Sequence, residues 1–218
     1  MYRRHSFPLV SFALIASAFV IALACDIGMA QSQTKQTSEG GSLRSVGEFD
    51  AISDSSARSR ALFTEAAKVI THPRCLNCHP PTRSPTQGDT LHPHQPPIRA
   101  GEGGTGVAGL NCTTCHRSGN TTVLGSRIGS IPGAEHWLLA PAGMAWQGRT
   151  LGEICTQLKD PARNGKRSLV DIQKHLSTDH LVGWAWHPGE GRQPAPGTQE
   201  LFGALINAWI ASGAECPG

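Results

Sequence analysis

Apolar residues recur at helical spacing in four parts of this chain. Behind Asp54, a natural N-cap, Leu62, Phe63, Ala66, Val69 and Ile70 return every three or four positions, which predicts an amphipathic helix over 55–70. Pro73 ends it. Thr150-Leu151-Gly152-Glu153 has the form of a capping box and predicts a helix to about Lys159. Ser168-Leu169-Val170-Asp171 opens another to about Leu176. Thr198 caps a last one, whose stripe is Leu201, Phe202, Leu205, Ile206, Trp209 and Ile210. Elsewhere the periodicity is lost. Residues 31–50 are rich in Ser, Thr, Gln and Gly and read as a disordered tether. From Pro80 to Leu110 prolines and a cluster of glycines replace any pattern, so regular structure is not expected there. The fold class is mainly α, with long Gly/Pro-rich loops.

Composition adds a compartment. Arg3 and Arg4, an apolar run from Leu9 to Ala24 and a small-x-small site at Gly28-Met29-Ala30 make residues 1–30 a signal peptide cleaved near Ala30. That places the product, with its domain at 51–218, in the periplasm. The run approaches spanning length, so a membrane attachment follows only if it stays uncleaved or is lipidated at Cys25. Nineteen Lys and Arg against 16 Asp and Glu leave no basic block for nucleic acid.

The chemistry lies in the cysteines. Five of the seven stand outside the helix at 150–159 and the tail, and four of those form Cys75-Leu76-Asn77-Cys78-His79 and Cys112-Thr113-Thr114-Cys115-His116. Each is C-x-x-C-H, the spacing for covalent attachment of a c-type haem. Two thiols three positions apart each add to a vinyl group on one porphyrin edge, and the next residue brings an imidazole beneath the ring to bind iron. Two haem c groups are therefore expected, with His79 and His116 as proximal ligands. The loop between the motifs is long enough to wrap a flat cofactor, and Arg99 is suited to pair with a propionate. Cys155 and Cys216 remain, and an oxidising compartment favours a disulfide between them over two buried thiols.

For the far side of each iron the chain offers Met144, in a proline-containing loop, and several histidines. Met ligation raises a haem potential, and a core Met is the competing reading. His94, in the Pro-stiffened Leu91-His92-Pro93-His94, suits one iron. His136 and His175 are further candidates, while His72 is tethered too close to Cys75 to reach the far face.

With these motifs the chain resembles dihaem c-type cytochromes exported across a bacterial inner membrane. More loosely, it is similar to chains known as the cytochrome subunit of isoquinoline 1-oxidoreductase-type molybdenum hydroxylases. That likeness rests on Cys75-Leu76-Asn77-Cys78-His79-Pro80, Gln157-Leu158-Lys159-Asp160-Pro161, Leu181-Val182-Gly183-Trp184 and the tail from Pro194 to Pro217. It implies cytochrome c-like helices around two haems, His94 and Met144 as distal ligands, and a molybdenum hydroxylase as redox partner. The expected function is electron transfer between a redox enzyme and the respiratory chain. The alternative is a small haem enzyme or sensor with one open iron. A zinc site or thiol–disulfide exchange leaves the histidine after each pair unexplained.

Overall fold

The computed structural model describes residues 41–118, 130–133 and 137–218. The signal peptide, residues 31–40 of the tether, and His136 lie outside the described residues. Among the described residues no helix is long and apolar enough to cross a membrane.

The four predicted helices are present. Helix α1 spans Ser55–Ile70, and the Asp54 carboxylate caps it by accepting from the Ala57 amide. A short α2, Pro73–Leu76, starts at His72, whose ring nitrogen accepts from the Arg74 amide. Helix α3, Leu151–Lys159, carries the capping box of Thr150 and Glu153. Helix α4, Leu169–Thr178, is closed in the same way by Ser168 and Asp171. Asp179 ends α4 and caps the single turn α5, His180–Gly183. Helix α6 spans Gln199–Ala211 and contributes Phe202, Leu205, Ile206 and Trp209 to the core.

The core lies where α6 crosses α1 and α4. Phe63 of α1 meets Trp209 of α6 with ring centres 5.0 Å apart, and the buried Ser59 hydroxyl donates to the Trp209 carbonyl at 3.1 Å. Gly203 lets α6 approach α4 closely, since a Cβ there would collide with Ser177. Cys155 of α3 is bonded to Cys216 beyond α6. That crosslink holds α3 against the tail, as expected from the two cysteines left over.

Two differences from the sequence reading stand out. Residues 43–50 are packed: Ser45 and Glu48 form a capping box on a 3-10 turn at Val46–Phe49, and Leu43 and Phe49 are buried in the core. Two isolated apolar residues carry no period, so the pattern did not reveal them. The Gly/Pro-rich loop contains two antiparallel hairpins, β1 (Thr86–Gln87) with β2 (His92–Pro93) and β3 (Gly106–Val107) with β4 (Leu110–Asn111). Gly106 makes the second one possible; its φ is +110°, and a Cβ there would lie 2.5 Å from the Leu110 carbonyl. These strands are two residues long, too short for an alternating pattern.

Candidate functional site: two cysteine–histidine anchors

The first anchor is built on α2 and the turn after it. Pro73 at the start of α2 and the bonds Cys75 N–H to His72 O and Cys78 N–H to Cys75 O set Cys75 and Cys78 one turn apart. His79 follows. Its Nδ1 lies 2.8 Å from the Met144 carbonyl oxygen. A carbonyl only accepts, so Nδ1 carries the proton and Nε2 keeps its lone pair, the state a metal-binding imidazole needs. The Trp146 indole stacks on the ring at 3.6 Å between centres, only 3° from parallel. That indole is itself held by Nε1–H donation to Gln157 of α3 at 2.8 Å. Gln147 clamps the motif by donating to the Leu76 carbonyl and the Thr86 hydroxyl. Burial pushes the His79 pKa down to about 4, with the Met144 carbonyl opposing the shift and His175 adding to it.

The second anchor repeats this plan on loops. Cys112–Thr114 is one 3-10 turn following β4. His116 Nδ1 lies 3.0 Å from the Ile131 carbonyl oxygen, and Trp137 stacks on its ring at 4.7 Å and 18°. Ser130 donates to the Cys115 carbonyl at 2.8 Å, and a Cβ at Gly133 would collide with the His116 carbonyl. Burial again lowers the histidine's pKa. Each motif histidine thus has a backbone carbonyl on Nδ1, a tryptophan on its face and, among the described residues, no hydrogen bond on Nε2.

The sequence-predicted residues divide between the two anchors. His94 sits against His116, with ring centres 6.1 Å apart and planes at 54°. Its own Nδ1 meets the Pro96 carbonyl at 2.9 Å, so its Nε2 is free as well. Two imidazoles on opposite sides of one metal, with bonds of about 2 Å, place their ring centres about 6 Å apart. Met144 falls elsewhere. Its carbonyl stands on the Nδ1 side of His79, opposite Nε2, and its side chain ends beside Gly165. His175 of α4, with Nδ1 3.3 Å from an Asp179 oxygen, is near enough for its charge to act on His79.

A cavity of about 540 Å³ lies beside the second anchor and reaches Cys78 of the first, lined by Cys112, Cys115, His116, His94 and Leu139 among others. Arg74 and Arg192 also line it, whereas Arg99 is exposed. Sequence reasoning missed both arginines. Arg74 directly precedes Cys75, which was a signal of position but not of orientation; Arg192 carried none. The thiols of Cys75 and Cys78 are pushed by burial up to about 12 and about 11 respectively. Disulfide-exchange cysteines need the opposite shift. Compared with known proteins, the chain matches no family model, no curated protein and no solved structure.

Proposed function

We propose that this chain is an exported dihaem c-type cytochrome that passes electrons between a redox enzyme, with a molybdenum hydroxylase as the candidate, and a respiratory chain. The observation that carries this reading is the repeated anchor: two C-x-x-C-H motifs with the same carbonyl and tryptophan support behind each histidine. The residues present fit the group. Two thiols and one imidazole with a free Nε2 stand at each anchor, and the shared cavity has the size and apolar lining of a cofactor site.

Haem supplies reversible one-electron chemistry at its iron. The residues of this chain govern the rest. Cys75, Cys78, Cys112 and Cys115 would form the thioethers. His79 and His116 would bind iron through Nε2 while the Met144 and Ile131 carbonyls keep the proton on Nδ1 and raise ring basicity. His94 would supply a second imidazole to the iron at His116. At His79, Met144 would hold the ring through its backbone carbonyl, and His175, close enough to act on His79, would be the candidate for a second ligand. Its Nδ1 is paired with Asp179, an orientation like that of a metal-bound histidine. Trp146, Trp137 and Leu139 exclude water from the ligand rings.

The test is a denaturing gel stained for haem, together with a haem-to-protein ratio from the alkaline pyridine spectrum. Two covalent haems per chain are expected in cells competent for cytochrome c maturation, and a colourless denatured chain ends the reading. Carbon monoxide then separates carrier from enzyme. Rapid binding to one reduced haem would favour the alternative with an open iron.

A further inference from the structure

Gln157 is a polar side chain on the buried face of α3, only 2% exposed. An amide in such a place is costly unless both of its ends are paired. Both are. Its Oε1 accepts from the Trp146 indole N–H at 2.8 Å, and its Nε2 donates to the Arg163 carbonyl at 2.7 Å. The indole can only donate and the carbonyl can only accept, so the amide has one orientation. Apolar packing alone would be met by Leu or Met at this position. The amide adds direction, because it pins the rim of the Trp146 indole. That indole lies flat against His79, 3.6 Å between ring centres and 3° from parallel. The chain beside it grips the same residue: the Trp146 and Gln147 amides donate to the His79 carbonyl at 2.9 and 3.2 Å, and His79 Nδ1–H donates to the Met144 carbonyl. A circuit closes behind them. Arg163 Nε donates to the Gly143 carbonyl at 3.4 Å, and the buried Asn164 ties the same turn to α3 by donating to the Leu158 carbonyl at 2.8 Å. Within that circuit the Met144 bond fixes one edge of the imidazole, and the indole fixes its tilt. The second anchor is held differently. Trp137 lies 4.7 Å and 18° from the His116 ring. Burial raises the Cys112 thiol and a hydrogen bond to the Trp137 side chain opposes the shift, so this tryptophan is tied to the motif itself.

We infer that Gln157, acting through Trp146, sets the plane of the His79 imidazole and is a positioning residue for the iron at that anchor. The inference rests on the cytochrome reading above and deepens it. An imidazole bound through Nε2 keeps one freedom, rotation about the iron–nitrogen bond. That angle decides how the ring's π orbitals meet the iron d orbitals, and the groups that hold a ligand ring tune its metal in this way. Here the angle is chosen by a side chain of α3, a helix that the Cys155–Cys216 bond ties to the tail. A ring held by so fixed a support keeps its plane when the electron arrives or leaves.

The experiment is electron paramagnetic resonance on the full, matured, oxidised protein, with haem content and unfolding midpoint measured on every variant. Gln157→Met cuts both bonds of the amide at nearly constant volume. One of the two low-spin signals is expected to be lost to a shifted, broader one, and Trp146→Phe is expected to move the same signal at least as far. Both variants cut one link, so Gln157→Met adds nothing further on the Trp146→Phe background. Trp137→Phe is expected to move the other signal, which makes a prior assignment of the two haems unnecessary. Gln157→Glu keeps an oxygen for the indole and is expected to stay close to wild type. Set against Trp146→Phe, it decides the matter should Gln157→Met not hold two haems: a signal as altered as that of Trp146→Phe counts against the positioning role. Two haems per chain with both signals unchanged in Gln157→Met overturn that role even where the unfolding midpoint falls, because Gln157 then serves the core alone. Additive changes in the double variant overturn it too. A wild-type chain without covalent haem removes the cytochrome reading and this inference together.

Discussion

The two anchors share a five-residue motif and the same support, yet they are built from different material. Around His79, most of the support leads back to the helical core: Trp146 to Gln157 on α3, Gln147 to the end of α2, and α3 itself through Cys155 to Cys216. Around His116, support comes from hairpin and loop: Ile131, Ser130, Trp137 and the Gly106 turn. Burial differs less: Cys75, Cys78 and Cys112 are all half-buried and Cys115 is exposed, with burial raising the Cys75 and Cys78 thiols to about 12 and about 11. A carbonyl and a tryptophan behind each histidine therefore do not make two equal sites. The anchor tied to the core is the more firmly held. On the cytochrome reading, the looser one, with its exposed Cys115, is the better place for an electron to enter or leave.

The largest test of this contrast is the crosslink. Replacing Cys155 and Cys216 by Ser opens a loop of 61 residues and is expected to cost about 4 kcal/mol in the chain-entropy model. Denaturant unfolding followed at each haem's absorbance checks it; the signal from the His79 site is expected to fail first, and simultaneous loss would erase the distinction between anchors. Next, Trp146→Ala removes a buried indole, its stack on His79 and its bond to Gln157, for an expected loss of about 3–5 kcal/mol. Trp137→Ala, with no helix behind it, is expected to cost less than half as much. Equal unfolding midpoints for the two variants would show that the core does not support the first anchor preferentially.

A smaller effect concerns ligation. His94→Ala is expected to open one iron to carbon monoxide while changing global stability by under about 1 kcal/mol. If carbon monoxide instead binds the haem at His79, the pairing of His94 with His116 is wrong. The smallest effect is one of pH. In the chain with its four motif cysteines replaced by Ala, His79 binds its proton more weakly when folded than when unfolded. The unfolded state then holds more protons between about pH 6.5 and about pH 4, so stability falls as pH drops through that window. His116, whose pKa is lowered in the same direction, adds to the slope. Unfolding midpoints measured against pH check it, and His79→Gln should flatten the curve more than His116→Gln.

Much of this molecule was legible from the sequence because the deciding interactions are local. Capping boxes act over three residues, amphipathic helices over four, and C-x-x-C-H over five. For that reason α1, α3, α4 and α6 were found at their places, and the two C-x-x-C-H motifs could be read directly. The packed residues at 43–50 and the two hairpins were not, because a lone buried Phe49 or a two-residue strand has no period to detect. The role of Met144 shows the same limit. Its loop was found, but its contact with His79 runs through the backbone carbonyl, which every residue type possesses.

What the sequence determined by itself, then, is the pair of C-x-x-C-H motifs, the helices that frame them and the two cysteines left for a disulfide. Tertiary structure alone decided that His94 faces His116, that Ile131 and Met144 hold the motif histidines, and that Arg74, Trp184 and Arg192 meet on one cavity wall. The physical reason is distance along the chain: such meetings depend on how whole helices and loops pack, and no short pattern of residues records them.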